Sequence, residues 1–183
     1  MQNTEEENKL ITLLQAEATR NEAFSMLVKE YSEQLYWLIR KIVISHEDAN
    51  DVLQNTYIKV WTNLESFRGE SKLITWLYKI AANESITYLN KLRSQNNIPI
   101  DDSNNYLYSK LESDVYFDGD EAQQKLQKAV LQLPEKQRLV FNMKYFDEMK
   151  YEEISNILNT SVGALKASYH HAVKKIEDYL SRD

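Results

Sequence analysis

The chain has 183 residues, 43% of them hydrophobic, and a formal net charge of −6, a length that suits one ordinary domain or two small ones. It contains no cysteine, which excludes a disulfide framework, a thiol nucleophile and any cysteine metal site and fits a reducing cytoplasm. No apolar run approaches the roughly 18 residues of a membrane span, and the acidic start MQNTEEENK is unlike a signal peptide, so a cytoplasmic chain with no membrane insertion is expected.

With three Gly and two Pro, and with Leu, Ile, Lys, Glu and Gln abundant, the composition predicts an all-α fold. The charge is unevenly placed. Residues 1–23 carry −3, 24–93 carry +1, 94–122 carry −6 and 123–183 carry +2. The acidity belongs to the amino-terminal tail and the middle, while the two patterned halves are slightly basic, so total charge is a poor guide to nucleic-acid binding.

Phe24, Leu27, Val28, Tyr31, Leu35, Leu38 and Ile42 recur at helical spacing, with Asn21 as a plausible N-cap. A second helix is predicted to start at Ser45, where Ser45 and Asp48 form a capping box, and to run to about Leu64 with Ala49, Val52, Leu53, Thr56 and Val60 inward. The segment Phe67-Arg68-Gly69-Glu70-Ser71 reads as a loop. A third helix comes next over Lys72–Arg93, with Leu73, Trp76, Leu77, Ile80 and Ala81 inward.

Residues 94–122 lose this periodicity and carry Pro99, Gly119 and seven acids. They read as a flexible acidic linker between a first domain, 1–93, and a second, 123–183. As a coil, 29 residues span roughly 30 Å and extended they reach about 100 Å, so the flanking modules could sit two or so DNA turns apart, at about 34–36 Å per turn.

In the second half one helix is predicted over Glu121–Leu133, and Pro134 opens the next at its first turn, lined by Leu139, Val140, Met143 and Phe146. Two short helices, Tyr151–Leu158 and Val162–Tyr179, are joined by Asn159-Thr160-Ser161, which is a helix-turn-helix pattern. Ile154, Leu158, Val162, Leu165, Tyr169 and Ile176 supply its core. Lys166, Ala167, His170, His171 and Lys174 then face outward, and 162–176 contains no acid. A helix entering the major groove needs that, because a carboxylate there would meet phosphate. Ser161, at the N-cap, leaves backbone N–H groups for a phosphate oxygen. The plainer alternative is a helical hairpin with a solvated basic face. His170 and His171 are adjacent, point about 100° apart on a helix and have no third ligand in view, so no metal site and no cofactor are expected.

In the first half, Tyr57, Trp61, Phe67, Trp76, Tyr78 and Tyr88 interleave with Lys59, Arg68, Lys72 and Lys79. Rings on which bases stack and cations that follow the backbone suit single-stranded DNA; the alternative is that Trp61, Trp76 and Tyr88 are core. Asp48, Asp51, Gln54, Asn55 and Ile58 form an acidic and amide face that suits a protein partner, or else solvent.

The run from Asp48-Ala49-Asn50-Asp51 to Lys59-Val60-Trp61 resembles the region 2 helix of the sigma-70 family. Phe67-Arg68-Gly69 through Ala81-Ala82-Asn83 is similar to the segment after that helix in the extracytoplasmic-function group, and Leu133-Pro134-Glu135 through Ala164-Leu165-Lys166 resembles region 4. The resemblance covers about 24–93 and 123–180, in the family's order, with no region 3 domain between. It implies an alternative sigma factor, not an enzyme, that binds core RNA polymerase and directs initiation at its promoters. Asp48, Asp51, Gln54, Asn55 and Ile58 would then bind core polymerase. Phe67, Arg68, Lys72, Trp76, Lys79 and Asn83 would meet the −10 DNA, and Ser161, Lys166, Ala167, His170, His171 and Lys174 the −35 DNA. The group commonly has an anti-sigma partner. Ser168, His171 and Val173 stand where relatives often carry Arg, Lys150 where Ser or Thr caps a helix, and Asn55 where an acid is common; a weaker hold on the −35 element is implied. The alternative function is a stand-alone helix-turn-helix regulator, which accounts for 123–183 alone; a purely protein-binding adaptor is a third reading. An enzyme is disfavoured by the absence of a phosphate-binding Gly loop, a metal cluster or a nucleophile with a base at a recognisable spacing.

Overall fold

The computed structural model describes residues 2–69, 71–96, 103–112 and 121–181, with side chains from residue 5 and, in 103–112, for 107–111 only. Among these, nine α-helices and no strand are present: α1 (Gln2–Gln15), α2 (Arg20–Val43), α3 (His46–Asn63), α4 (Leu73–Gln95), α5 (Ser103–Glu112), α6 (Glu121–Leu131), α7 (Glu135–Phe141), α8 (Tyr151–Leu158) and α9 (Val162–Leu180). The all-α expectation holds.

Helix α1 lies in the stretch read as an acidic tail. Leu10 and Leu14, one turn apart, are buried, and that short stripe fixes it against α2. Helix α2 begins at Arg20 with Thr19 at its N-cap, so Asn21 lies inside the first turn. Thr19 does not cap by its side chain; its hydroxyl donates to the Leu13 carbonyl at 2.8 Å and ties the end of α1 to the start of α2. At the other end of α2 the chain turns at Ile44, whose φ is +72°, while Ser45 N–H donates to the Val43 carbonyl at 2.9 Å. This i to i+2 bond with positive φ is the strained γ-turn. It is held because Ile44 is buried.

The same turn explains why the predicted capping box is only half made. Ser45 Oγ accepts from Asp48 N–H at 3.4 Å, but Ser45's own N–H is committed to Val43, and Asp48 Oδ1 accepts from the Tyr88 hydroxyl at 2.7 Å instead. Helix α3 buries Ala49, Val52, Thr56 and Val60. A 3-10 turn, Leu64–Ser66, precedes the loop to α4.

The connector is not coil throughout. Helix α4 continues to Gln95, and residues 103–112 form α5. Leu107 and Leu111 are buried, and the Tyr108 hydroxyl donates to the Lys128 carbonyl at 2.8 Å and lies 2.6 Å from Gln132 Nε2. Residues 97–102 and 113–120, with Pro99, Val115, Tyr116, Phe117 and Gly119, lie outside the described residues.

Helix α6 ends two residues earlier than expected, and Pro134 is the N-cap of α7 rather than part of its first turn. A π-helical turn, Asn142–Phe146, continues α7. Asn159, at φ +50°, stops α8, a left-handed position that Asn adopts more readily than most residues. Ser161 Oγ accepts from Ala164 N–H at 3.4 Å to start α9. At Lys150 the hydroxyl cap is gone, but Glu153 Oε2 still accepts from Lys150 N–H at 3.0 Å, so half of the usual N-terminal device survives.

One apolar core runs through both halves. It joins Leu27, Leu38, Val52, Leu73 and Leu77 with Leu131, Met143, Ile154 and Leu165. A smaller cluster, with Val130, Leu133, Phe141, Ala172 and Ile176 among its members, lies between α6, α7 and α9. The halves meet where α4 packs on α8.

Candidate nucleic-acid and polymerase interfaces

The loop between the 3-10 turn and α4 carries Arg68 and Gly69, both exposed. Gly69 has φ +73° with no atom within 4 Å of a notional Cβ, so the backbone conformation, and not crowding, asks for glycine. Phe67 is buried and packs against Trp76, ring centroids 5.0 Å apart. Trp76 is half-buried. The two rings thus form a wall under the loop rather than open stacking faces. Lys72, Trp76, Lys79 and Asn83 fall at helical spacing on one side of α4, and of these Lys72, Lys79 and Asn83 are exposed. Lys72 Nζ lies 3.6 Å from Glu153 Oε1 of α8. Of the other aromatics, Trp61 is 40% exposed and meets Phe24 edge to face at 5.0 Å, while the Tyr57 hydroxyl is 2.8 Å from Ser32 Oγ. Burial pushes the Tyr57 phenol up, against the Ser32 hydrogen bond.

On α3, Asp51, Gln54, Asn55 and Ile58 are exposed, Ile58 to 61%. Asp48 is set apart. It is half-buried, accepts from Tyr88, and has Lys110 Nζ of α5 at 3.7 Å. The connector helix therefore reaches one end of the face read from sequence as a protein-docking surface.

In the C-terminal half, Ser161 at the N-cap of α9 and Lys166, Ala167, His170, His171 and Lys174 along it are all exposed, while Leu165, Ala172 and Ile176 are buried. One local aromatic, Tyr151, lies under two lysines, of which Lys166 belongs to this face. Lys166 Nζ stands 5.7 Å over the Tyr151 ring and Lys144 Nζ 5.3 Å over it, contacts worth about 0.5–1 kcal/mol each where exposed. Tyr169 stacks on Phe141 at 5.9 Å, and burial, with smaller contributions from Tyr151 and Tyr145, raises its phenol. Tyr151 and Lys144 do not stand out in the sequence; the Tyr-Glu-Glu start of α8 is the only signal there. The rings of His170 and His171 are 5.9 Å apart. Among the described residues no group of three or more His, Cys, Asp or Glu is placed to hold a metal ion, and no helix is long and apolar enough to cross a membrane.

The seam between the halves is charged around its apolar centre. Lys41 Nζ pairs with Asp147, Arg93 Nη2 meets Glu135 Oε2 at 2.6 Å, and Asn142 Nδ2 donates to the Lys41 carbonyl at 3.1 Å. Burial pushes the Asp147 carboxyl up, and the Lys41 hydrogen bond and charge pull it back in part. Burial likewise pushes the Arg138 guanidinium down to about 10, with Glu135 opposing and Arg93 reinforcing the shift; it stays charged at neutral pH. Tyr78 is pushed up to about 12 by burial and then by Asp147.

Comparison with known proteins places this architecture. The family description "Sigma-70 region 2" matches residues 27–95 and "Sigma-70, region 4" matches 123–176. The ECF RNA polymerase sigma-E factor of Haemophilus influenzae is 31% identical over 164 residues, covering 85% of this chain and 86% of that protein. The ECF RNA polymerase sigma factor SigW of Bacillus subtilis is 29% identical over 167 residues, covering 87% and 89%. Among solved structures, the sigma factor RpoE in complex with the anti-sigma factor NepR from Bartonella quintana superposes with a TM-score of 0.67 at 22% identity, covering 87% of this chain and 98% of that one. CnrH in complex with the cytosolic domain of CnrY gives 0.68 at 19%, covering 97% and 98%. The fold is that of these two-part helical proteins. A stand-alone regulator finds no support, since region 2 is matched at 27–95 in addition to region 4, which carries the helix-turn-helix. The chain belongs to the sigma-70 family, in its extracytoplasmic-function group, and is an alternative sigma factor for promoter-directed transcription initiation.

Proposed function

We propose that three separate surfaces divide the work of initiation. The face of α3 with Asp48, Asp51, Gln54, Asn55 and Ile58 docks on the clamp helices of the polymerase largest subunit. Arg68, Lys72, Lys79 and Asn83, backed by Phe67 and Trp76, open and read the −10 element, and a base drawn from the duplex enters beside the Gly69 loop. Ser161, Lys166, Ala167, His170, His171 and Lys174 read the −35 element. The remainder of the second half touches the polymerase flap, and the acidic connector runs toward the active-site and exit channels, where its charge imitates nucleic acid. The domain limits that go with this proposal are 1–93, 94–122 and 123–183, with the last two residues of α4 and the first two of α6 falling in the middle segment.

The observation that carries this reading is the exposed, acid-free side of α9, with every candidate −35 residue outward and the helix anchored by Leu165, Ala172 and Ile176. The protein does no bond-making chemistry of its own and works in the cytoplasm, where the polymerase is. An anti-sigma factor is a further partner; both solved neighbours carry a bound protein, named an anti-sigma factor in one of them.

The test is run-off transcription with bacterial core polymerase on a library of genomic promoters. Transcripts that start at sites with a shared motif only when this protein is added support the reading, and substitution of Lys166, His170 and Lys174 abolishes them while leaving polymerase binding intact. With folded protein and cognate core, no core binding and no new transcripts would overturn it.

A further inference from the structure

The loop read as the −10 reader is held from outside its own family segment. Helix α1 precedes the region 2 match, which begins at residue 27, yet its polar side chains reach both ends of the loop. At the far end, Leu73 N–H donates to Glu7 Oε1 at 2.5 Å. At the near end, Gln15 Nε2 donates to the Phe67 carbonyl at 3.4 Å, and Arg20 Nη1 lies 3.2 Å from Glu65 Oε1. Arg20 Nε also donates to the Leu14 carbonyl at 3.2 Å, which locks α1 to α2.

Helix α4 needs that outside help. Its N-cap residue is Lys72, which makes no side-chain cap bond, and a lysine has no acceptor to offer. The first amides of a helix have no partner within it. Leu73 is wholly buried, so its N–H depends on an acceptor from elsewhere in the chain, and Glu7 supplies it from 66 residues away. A carboxylate at a helix N-terminus is also favoured by the helix dipole. Between the two tethers, Arg68 and Gly69 remain exposed.

We infer that Glu7 is a positioning residue for −10 recognition: by capping α4 it fixes where that helix begins, and so where the Lys72, Trp76, Lys79 and Asn83 stripe and the mouth of the loop face DNA. The inference rests on the assignment of that stripe to the −10 element. A side chain that sets a helix start acts on recognition through geometry, since small misplacements of a binding constellation are costly.

The experiment uses the full chain bound to core polymerase and a fluorescent non-template-strand oligonucleotide spanning a −10 element mapped by run-off. Glu7→Ala is expected to weaken oligonucleotide binding about tenfold, the scale of one missing charge-assisted hydrogen bond, and to narrow the discrimination between matched and mismatched −10 bases. Affinity for core polymerase stays unchanged, and Glu7→Gln, which keeps an acceptor oxygen, recovers most of the binding. Unchanged or tighter oligonucleotide binding in Glu7→Ala would overturn the inference; tighter binding would mean that Glu7 occupies a place a phosphate takes. A loss of core affinity in step with DNA affinity would also overturn it, as the sign of general damage. Lys79→Ala and Asn83→Ala serve as controls. If they too leave the oligonucleotide untouched, the −10 assignment itself falls; if they weaken binding and Glu7→Ala does not, only the role of Glu7 falls.

Discussion

Lys72 Nζ, beside the loop at the start of α4, lies 3.6 Å from Glu153 Oε1 on α8, so a cation assigned to the −10 element is held by an acid of the half assigned to the −35 element. The lysine side chain is 68% exposed, and such pairs contribute about 0–1 kcal/mol. The same glutamate caps α8 through Lys150 N–H. Glu153→Gln, which keeps the cap, is therefore expected to cost no more than about 0.5 kcal/mol, and Glu153→Ala about 1 kcal/mol more. Urea unfolding of both variants checks the order. Equal losses would assign the effect to the ion pair instead.

Glu135 faces a different environment. It meets Arg93 at 2.6 Å, with both side chains largely covered, and it supports the charge of buried Arg138. Glu135→Ala leaves two covered guanidinium groups without this acid. The expected loss is on the order of 2 kcal/mol, below the roughly 3–5 kcal/mol of a fully buried pair. A thermal melt in which Glu135→Ala matches the parent would show that other groups already satisfy both arginines.

Alkaline pH acts on the tyrosines. Tyr78 is raised to about 12 by burial and Asp147, against an unfolded value near 10. The neutral phenol is the form that the folded state prefers. Its contribution is thus fully present below pH 10 and is lost as pH rises through about 12. Phenolate absorbance is expected to lag behind that of free tyrosine and then rise together with loss of helix. Tyr78→Phe shifts that unfolding to higher pH. A Tyr78 that titrates near 10 in the folded chain would refute its burial.

At the −35 face, Lys166 and Lys174 are exposed cations. Removing one lysine from a phosphate lowers the slope of log affinity against log salt by about 1. Lys166→Ala with Lys174→Ala is expected to flatten the slope for holoenzyme on promoter duplex by about 2, while the isolated chain binds the same duplex weakly or not at all. Tight, salt-resistant binding by the isolated chain would contradict the reduced charge of this helix.

Helices α2, α3, α8 and α9 are legible in the sequence because each buries one stripe at the helical period and shows polar residues elsewhere. The features that escape depend on partners distant in sequence. The case for α1 rests on Leu10 and Leu14, too short a stripe to outweigh five nearby acids, and on a glutamate whose acceptor role appears only when residue 73 is beside it. Helix α5 likewise depends on Leu107 and Leu111 finding a covered site. Phe67 has the composition of a base-stacking residue, but its burial comes from Trp76 lying under the loop. The capping box at Ser45 fails in half because the preceding γ-turn consumes the amide it needs. The exposed row on α9 is visible in full, since a surface set by one helix requires only the helical period.

The core that runs through both halves has a practical consequence for anyone dividing the chain. Cutting in the connector, as the two-part layout invites, would yield fragments that each carry one bare side of the α4–α8 packing. Uncovered apolar surface of that kind promotes self-association. The separate halves are therefore expected to be poorly soluble and sticky on a sizing column, while their mixture re-forms a well-behaved one-to-one pair.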